Sequence, residues 1–119
     1  MIKQVLAGFV FLSLASTVIA SPIPSAKAAF HVGEDVMVCG DVKDVKILKM
    51  RTVMNLGKKY PHEDLSILIW DTDAEPFRNK FGDLRKFYGK RVCVQGTIET
   101  YRDHLQIKAT NPTLLRLMK

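Results

Sequence analysis

The chain has 119 residues, with 18 lysine and arginine against 12 acidic residues, for a formal net charge of +6. That length excludes more than one domain. The charge excess permits a polyanionic partner without demanding one.

Met1–Gln4 carries one positive side chain, Lys3, and Val5–Ala20 is almost wholly apolar. "SPIPSAKA" follows, with small residues at Ala26 and Ala28. A charged start, an apolar middle and an A-x-A end predict a secretory signal peptide over residues 1–28. Cleavage after Ala28 is the first expectation and cleavage after Ala20 the second. The sixteen residues of Val5–Ala20, at about 1.5 Å each, fall short of a hydrocarbon core of roughly 30 Å. A stable membrane span after cleavage is therefore not expected, and the chain is read as periplasmic or secreted. Removing Lys3 and Lys27 leaves 16 basic and 12 acidic residues, so residues 29–119 would carry +4.

Within those residues Ala29–Gly33 is a short lead-in. Asp35–Val42 alternates: Val36, Val38, Gly40 and Val42 share one face, Met37, Cys39 and Asp41 the other. Period two predicts a half-buried strand. Lys43–Lys49 reads as the strand end plus a loop. Arg51–Leu56 and Leu65–Trp70 read as the second and third strands, joined by a hairpin connection containing Gly57 and Pro61. Asp71, Asp73 and Glu75 before Pro76 predict a helix start, with the proline in its first turn. Phe77, Phe81, Leu84 and Phe87 or Tyr88 form its apolar stripe. Gly82 weakens the middle of this helix and Gly89 ends it. Arg91–Ile98 alternates again, "ETYRDH" is a polar turn, and His104–Ala109 is a fifth strand. "TLLRLMK" is a tail that either packs or frays.

Three strands, one helix and two strands make the order of an all-β, five-stranded Greek-key OB-fold barrel with one helix between strands three and four. In that barrel the first and fourth strands are neighbours. Cys39 and Cys93 fall on those strands, on the side opposite the valines, where a bridge forms if the register matches. An even cysteine count in an exported chain supports a disulfide. Two buried free thiols are the alternative. A metal pair is disfavoured by the wide separation and the lack of a further Cys-His cluster. A bridge over so long a loop contributes about 4 kcal/mol in the chain-entropy model.

"VMVCGDV", "TVMNLGKKYPHEDLSILIW" and "KRVCVQGTIETYRDHLQI" resemble a group of small exported bacterial OB-fold domains. That group carries a V-C-G strand, an "LNLG..YP...F...IW" hairpin and a "G..V.V.G.I..Y.G...I" closing hairpin. The resemblance covers roughly Gly33–Thr110 and implies a barrel of the nucleic-acid-binding type. The chain departs from the pattern at Arg102-Asp103, where the group commonly has a glycine.

Nucleic-acid-binding OB-folds use the outer face of strands two and three and the adjoining loops. Single strands require cations for phosphates and flat groups for bases. The candidates are Lys46, Lys49, Arg51, Asn55, Lys58, Lys59, Tyr60, Trp70, Tyr101 and Arg102, facing single-stranded DNA or RNA. A strand of leucines, isoleucines and one tryptophan is apolar on both faces, so periodicity leaves open whether Trp70 is core or surface. No catalytic constellation is expected: His31, His62 and His104 fall in three separate segments, and there is no serine elbow or P-loop. No cofactor and no metal are expected. The competing expectation is a cell-envelope module recognising a protein or glycan through an apolar patch at Val53, Leu68 and Trp70.

Overall fold

A computed structural model describes residues 21–118. Most of the expected leader, residues 1–20, lies outside them. Among the described residues eight strands are present rather than the five expected: β1 (Ile23–Pro24), β2 (Asp35–Ile47), β3 (Arg51–Leu56), β4 (Leu65–Trp70), β5 (Arg91–Thr97), β6 (Glu99–Tyr101), β7 (His104–Lys108) and β8 (Leu115–Met118). They hydrogen-bond in the order β6-β7-β4-β3-β2-β5-β8, with β1 beside β2. All neighbours are antiparallel except β1 with β2 and β4 with β7.

The long strand β2 serves two neighbours. Its first half pairs with β5 from Asp35↔Thr97 to Asp41↔Arg91, and its second half pairs with β3 from Val42↔Leu56 to Ile47↔Thr52. The register shifts between Val42 and Asp44. This bulge inserts Lys43 as an extra residue and bends the strand from one neighbour to the other. The strand therefore runs on to Ile47, further into the Lys43–Lys49 segment that sequence reading divides between strand end and loop.

The core holds Val38, Val42, Met54, Leu56, Leu65, Ile67, Ile69, Phe77, Val92, Val94, Ile98 and Ile107. Apart from Phe77, which belongs to the helix, these are the inward positions that alternation predicts for the strands. Helix α1 (Asp71–Phe81) adds Ala74 and Phe77. It starts at Asp71, so Pro76 sits inside the helix rather than in the first turn as expected. It also ends earlier than expected, at Gly82, whose φ of +81° suits glycine. Asp83 then caps a separate 3-10 turn, Leu84–Phe87. Its carboxyl is held down to about 2 by the Arg85 side chain and the Arg85 backbone amide. Phe87 is buried and Tyr88 is exposed, which settles the stripe in favour of Phe87. Phe81 meets Phe87 edge to face, ring centroids 5.1 Å apart.

Cys39 and Cys93 are directly opposed in the β2–β5 register and form a disulfide, Cα atoms 4.0 Å apart. Both are buried. β8 extends the same sheet beyond β5, with Cys93 opposite Arg116, so the tail packs.

The expected polar turn "ETYRDH" is mostly strand. β6 and β7 pair through Tyr101↔His104, leaving only Arg102-Asp103 as the turn. Both have positive φ, 49° and 66°. A two-residue turn of that kind favours Asn-Gly, since side chains cost energy there. Asp103→Gly is expected to raise stability by about 0.5–1 kcal/mol, read as a higher thermal midpoint.

Packed structure also begins before Ala29. β1 precedes a 3-10 helix over Ser25–His31, in which Ser25 and Ala28 are buried.

Candidate nucleic-acid interface

Register decides which side chains share the outer face of the central strands. Lys46, Val53, Leu68 and Lys108 lie in one row across β2, β3, β4 and β7. Asp44, Asn55, Ser66, Gln106 and Glu99 lie in the next row. Arg51 and Trp70 are paired at the opposite end from Asn55 and Ser66. Trp70 is 38% exposed, so its ring is a surface group. It points outward because Ile67 and Ile69 take the inward positions of β4. The turn from β2 to β3 closes through the Leu48 amide and the Arg51 carbonyl at 2.8 Å and exposes Lys49.

At the other end of the face the β3–β4 loop folds back toward β7. The Tyr60 ring stacks on His104, centroids 5.3 Å apart and 18° from parallel. Lys46 Nζ lies 4.7 Å from the Tyr60 centroid. His104 opposes Tyr101 across the β6–β7 hairpin, and the Arg102 guanidinium carbon sits 5.4 Å from the Tyr101 centroid. Lys46, Tyr60, His104, Tyr101 and Arg102 thus form a continuous row in which three flat rings are bounded by two cations. The Glu63 side chain, 2% exposed, anchors the row from beneath, its Oε2 2.5 Å from His104 Nδ1. Glu63 Oε1 has no hydrogen-bond partner.

Nine of the ten sequence candidates are exposed: Lys46, Lys49, Arg51, Lys58, Lys59, Tyr60, Trp70, Tyr101 and Arg102. Lys58 and Lys59 project from the β3–β4 loop. Asn55 is the correction. It occupies an outward register position, yet it is 1% exposed. Its amide donates to Asp44 Oδ2 at 3.2 Å, and its carbonyl accepts the Ser66 hydroxyl at 2.6 Å. Both ends of the side chain are committed to holding three strands together, so it offers nothing to a ligand. Asn55→Ala is expected to cost about 1–2 kcal/mol in chemical denaturation, because it strands Asp44 and Ser66, while oligonucleotide affinity stays within about twofold.

His104 and Lys108 join the face although the candidate set omitted them. Lys108 lies beside Leu68 and sits 3.7 Å from Glu99. The outward parity of both was readable in the fifth strand, whereas the stack of Tyr60 on His104 depends on how the β3–β4 loop folds. Tyr60 is engaged by both His104 and Lys46. Tyr101 is met by Arg102 in turn, and Tyr60, Tyr101 and Trp70 are all exposed rings.

No model of a known protein family matches the chain, and no curated protein matches it in sequence. Solved structures do. A chain of the Stn1-Ten1 complex of S. pombe is 15% identical, with a TM-score of 0.51, covering 70% of this chain and 57% of that one. A putative aspartyl-tRNA synthetase from Leishmania major Friedlin is 11% identical, with a TM-score of 0.59, covering 89% of this chain and 22% of that one. An OBody, AM2EP06, bound to hen egg-white lysozyme is 12% identical, with a TM-score of 0.54, covering 80% of this chain and 90% of that one. The chain therefore spans 57% and 22% of the first two. At these identities the likeness is one of fold, and the fold is that of an OB-fold domain.

Proposed function

We propose that this chain is an exported, non-enzymatic OB-fold module that binds single-stranded nucleic acid, or another extended polyanion, with little sequence preference. Its five central strands, β2, β3, β4, β5 and β7, act as the Greek-key barrel, and the outer face of β2, β3 and β4 is the binding surface. The carrying observation is the placement of rings and cations at both ends of that face. Arg51 and Trp70 pair at one end, and the Lys46–Tyr60–His104–Tyr101–Arg102 row lies at the other. Bases stack on Trp70 and Tyr101. Phosphates meet Lys46, Lys49, Arg51, Lys58, Lys59 and Arg102. The two ends are separated by the four-residue run from Trp70 to Ser66, or about 13 Å at strand rise, which suits an extended strand rather than a compact ligand.

The fold does not choose among ligands, since one neighbour is named for an enzyme of tRNA and another is held on lysozyme. The disulfide is compatible with an oxidising compartment. The test is a fluorescence titration with a labelled single-stranded oligonucleotide at low and moderate salt. Binding that weakens with salt supports the reading, and no binding at low salt overturns it.

A second reading, a cell-envelope module that docks a protein, is favoured by one observation. Ile47, Leu48 and Met50 are exposed on the β2–β3 turn, beside Trp70. Leu68, by contrast, is buried, so the expected patch at Val53 and Leu68 is displaced to that turn. Under this reading, Leu48→Ser plus Met50→Ser abolishes capture of a partner and leaves oligonucleotide affinity unchanged.

A further inference from the structure

We propose that the leader is removed between Ala20 and Ser21, and that Ser21–His31 stays with the mature domain as a structural clasp. This inference rests on export, as read above, and concerns where processing occurs.

Four observations carry it. Ile23 and Pro24 pair in parallel with Val38 and Cys39, so β1 adds a strand to β2. Ser25 is 7% exposed and its hydroxyl donates to Asp64 Oδ2 at 3.0 Å, tying the segment to the base of the β3–β4 loop. Gly40 makes room for it: a Cβ there would stand 2.7 Å from Ser25 Oγ and 3.3 Å from Leu56 Cβ. Ala28 is 1% exposed and belongs to the core. A cut after Ala28 would remove a strand, a partly buried hydrogen bond and a core residue in one step. It would also strip Ser25 and Ala26 from a cleft of about 540 Å³ that is lined as well by Pro61, Glu63 and Asp64 of the segment that carries Tyr60, and by His104 of β7.

The sequence supplies the alternative site. Ala20 is small at the first position before the bond, Val18 is short and uncharged at the third, and Ser21 follows. Ala26-Lys27-Ala28 has the same small-residue spacing, but the fold uses those residues.

The experiment expresses the full chain with its leader in an exporting bacterium and measures the intact mass and first residue of the periplasmic product. The expected product begins at Ser21. Ala26→Arg, at an exposed position, leaves that start unchanged, whereas Ala20→Arg accumulates the precursor. A product beginning at Ala29, or loss of processing in Ala26→Arg, overturns the site while leaving export intact. A wild-type chain that stays unprocessed in the cytoplasm overturns export and the site together. Within the Ser21 product, Ser25→Ala is expected to lower the thermal midpoint by several degrees, and an unchanged midpoint contradicts the clasp.

Discussion

Replacing Cys39 and Cys93 together by alanine is expected to lower stability by about 4 kcal/mol. The bridge closes a sequence separation of 54 residues, and in the chain-entropy model a loop of that length restricts the unfolded chain by this amount. The effect is large against a typical total of about 5–15 kcal/mol for a small domain. It is also placed where the fold has most to lose. Cys39 and Cys93 join β2 to β5, strands that meet only after the chain has travelled through β3, β4 and α1. Denaturant unfolding of the double variant, or of the wild type under reductant, measures the loss. A change below about 1 kcal/mol would mean that the β2–β5 pairing holds without the bridge.

Trp70→Ala is expected to weaken single-strand affinity about 5- to 150-fold, the range for losing about 1–3 kcal/mol of base stacking. Stability should change little by comparison. The inward positions of β4 belong to Leu65, Ile67 and Ile69, all fully buried, and Trp70 sits across the strand from an exposed arginine. The comparison separates a platform from a core residue. A core tryptophan cut to alanine costs about 3–5 kcal/mol in stability, whereas a platform changes affinity with the melting curve nearly in place.

Much of the barrel was legible because alternation is a direct record of inside and outside. Val36, Val38, Val42, Met54, Leu56, Ile67, Ile69, Val92, Val94 and Ile107 all took the inward positions that period two assigns, and the same parity matched Cys39 with Cys93. The failures have specific causes. The bulge after Val42 shifts the phase, so Lys43–Ile47 falls out of step with the alternation and reads as a strand end running into a loop. β1, β6 and β8 lie beside or at the ends of the main strand order, where polar and short sequences suffice and periodicity fades. Gly82 ended α1 instead of merely weakening it, because its positive φ turns the chain.

The candidate face was legible in composition more than in arrangement. The exposure of Lys49, Lys58, Lys59 and Arg102 follows from loop position alone. The burial of Asn55 does not, since it depends on Asp44 and Ser66 reaching it from two other strands. Likewise the Tyr60–His104 stack joins residues 44 positions apart in the chain, a contact that exists only once the β3–β4 loop has folded back over β7. Trp70 could not be assigned from a strand apolar on both faces. Its orientation is fixed by the β3–β4 register, which sets it opposite Arg51.

The central claim is that this outer face binds a polyanionic single strand, and salt dependence tests it most directly. For the six phosphate contacts proposed, a plot of log affinity against log salt should fall with a slope near −4, at about −0.7 per contact. In Lys58→Ala plus Lys59→Ala the slope should become shallower by about 1.4, while Trp70→Ala lowers affinity at every salt concentration and leaves the slope unchanged. Absence of binding at low salt, or an affinity indifferent to salt and to both variants, would contradict the account.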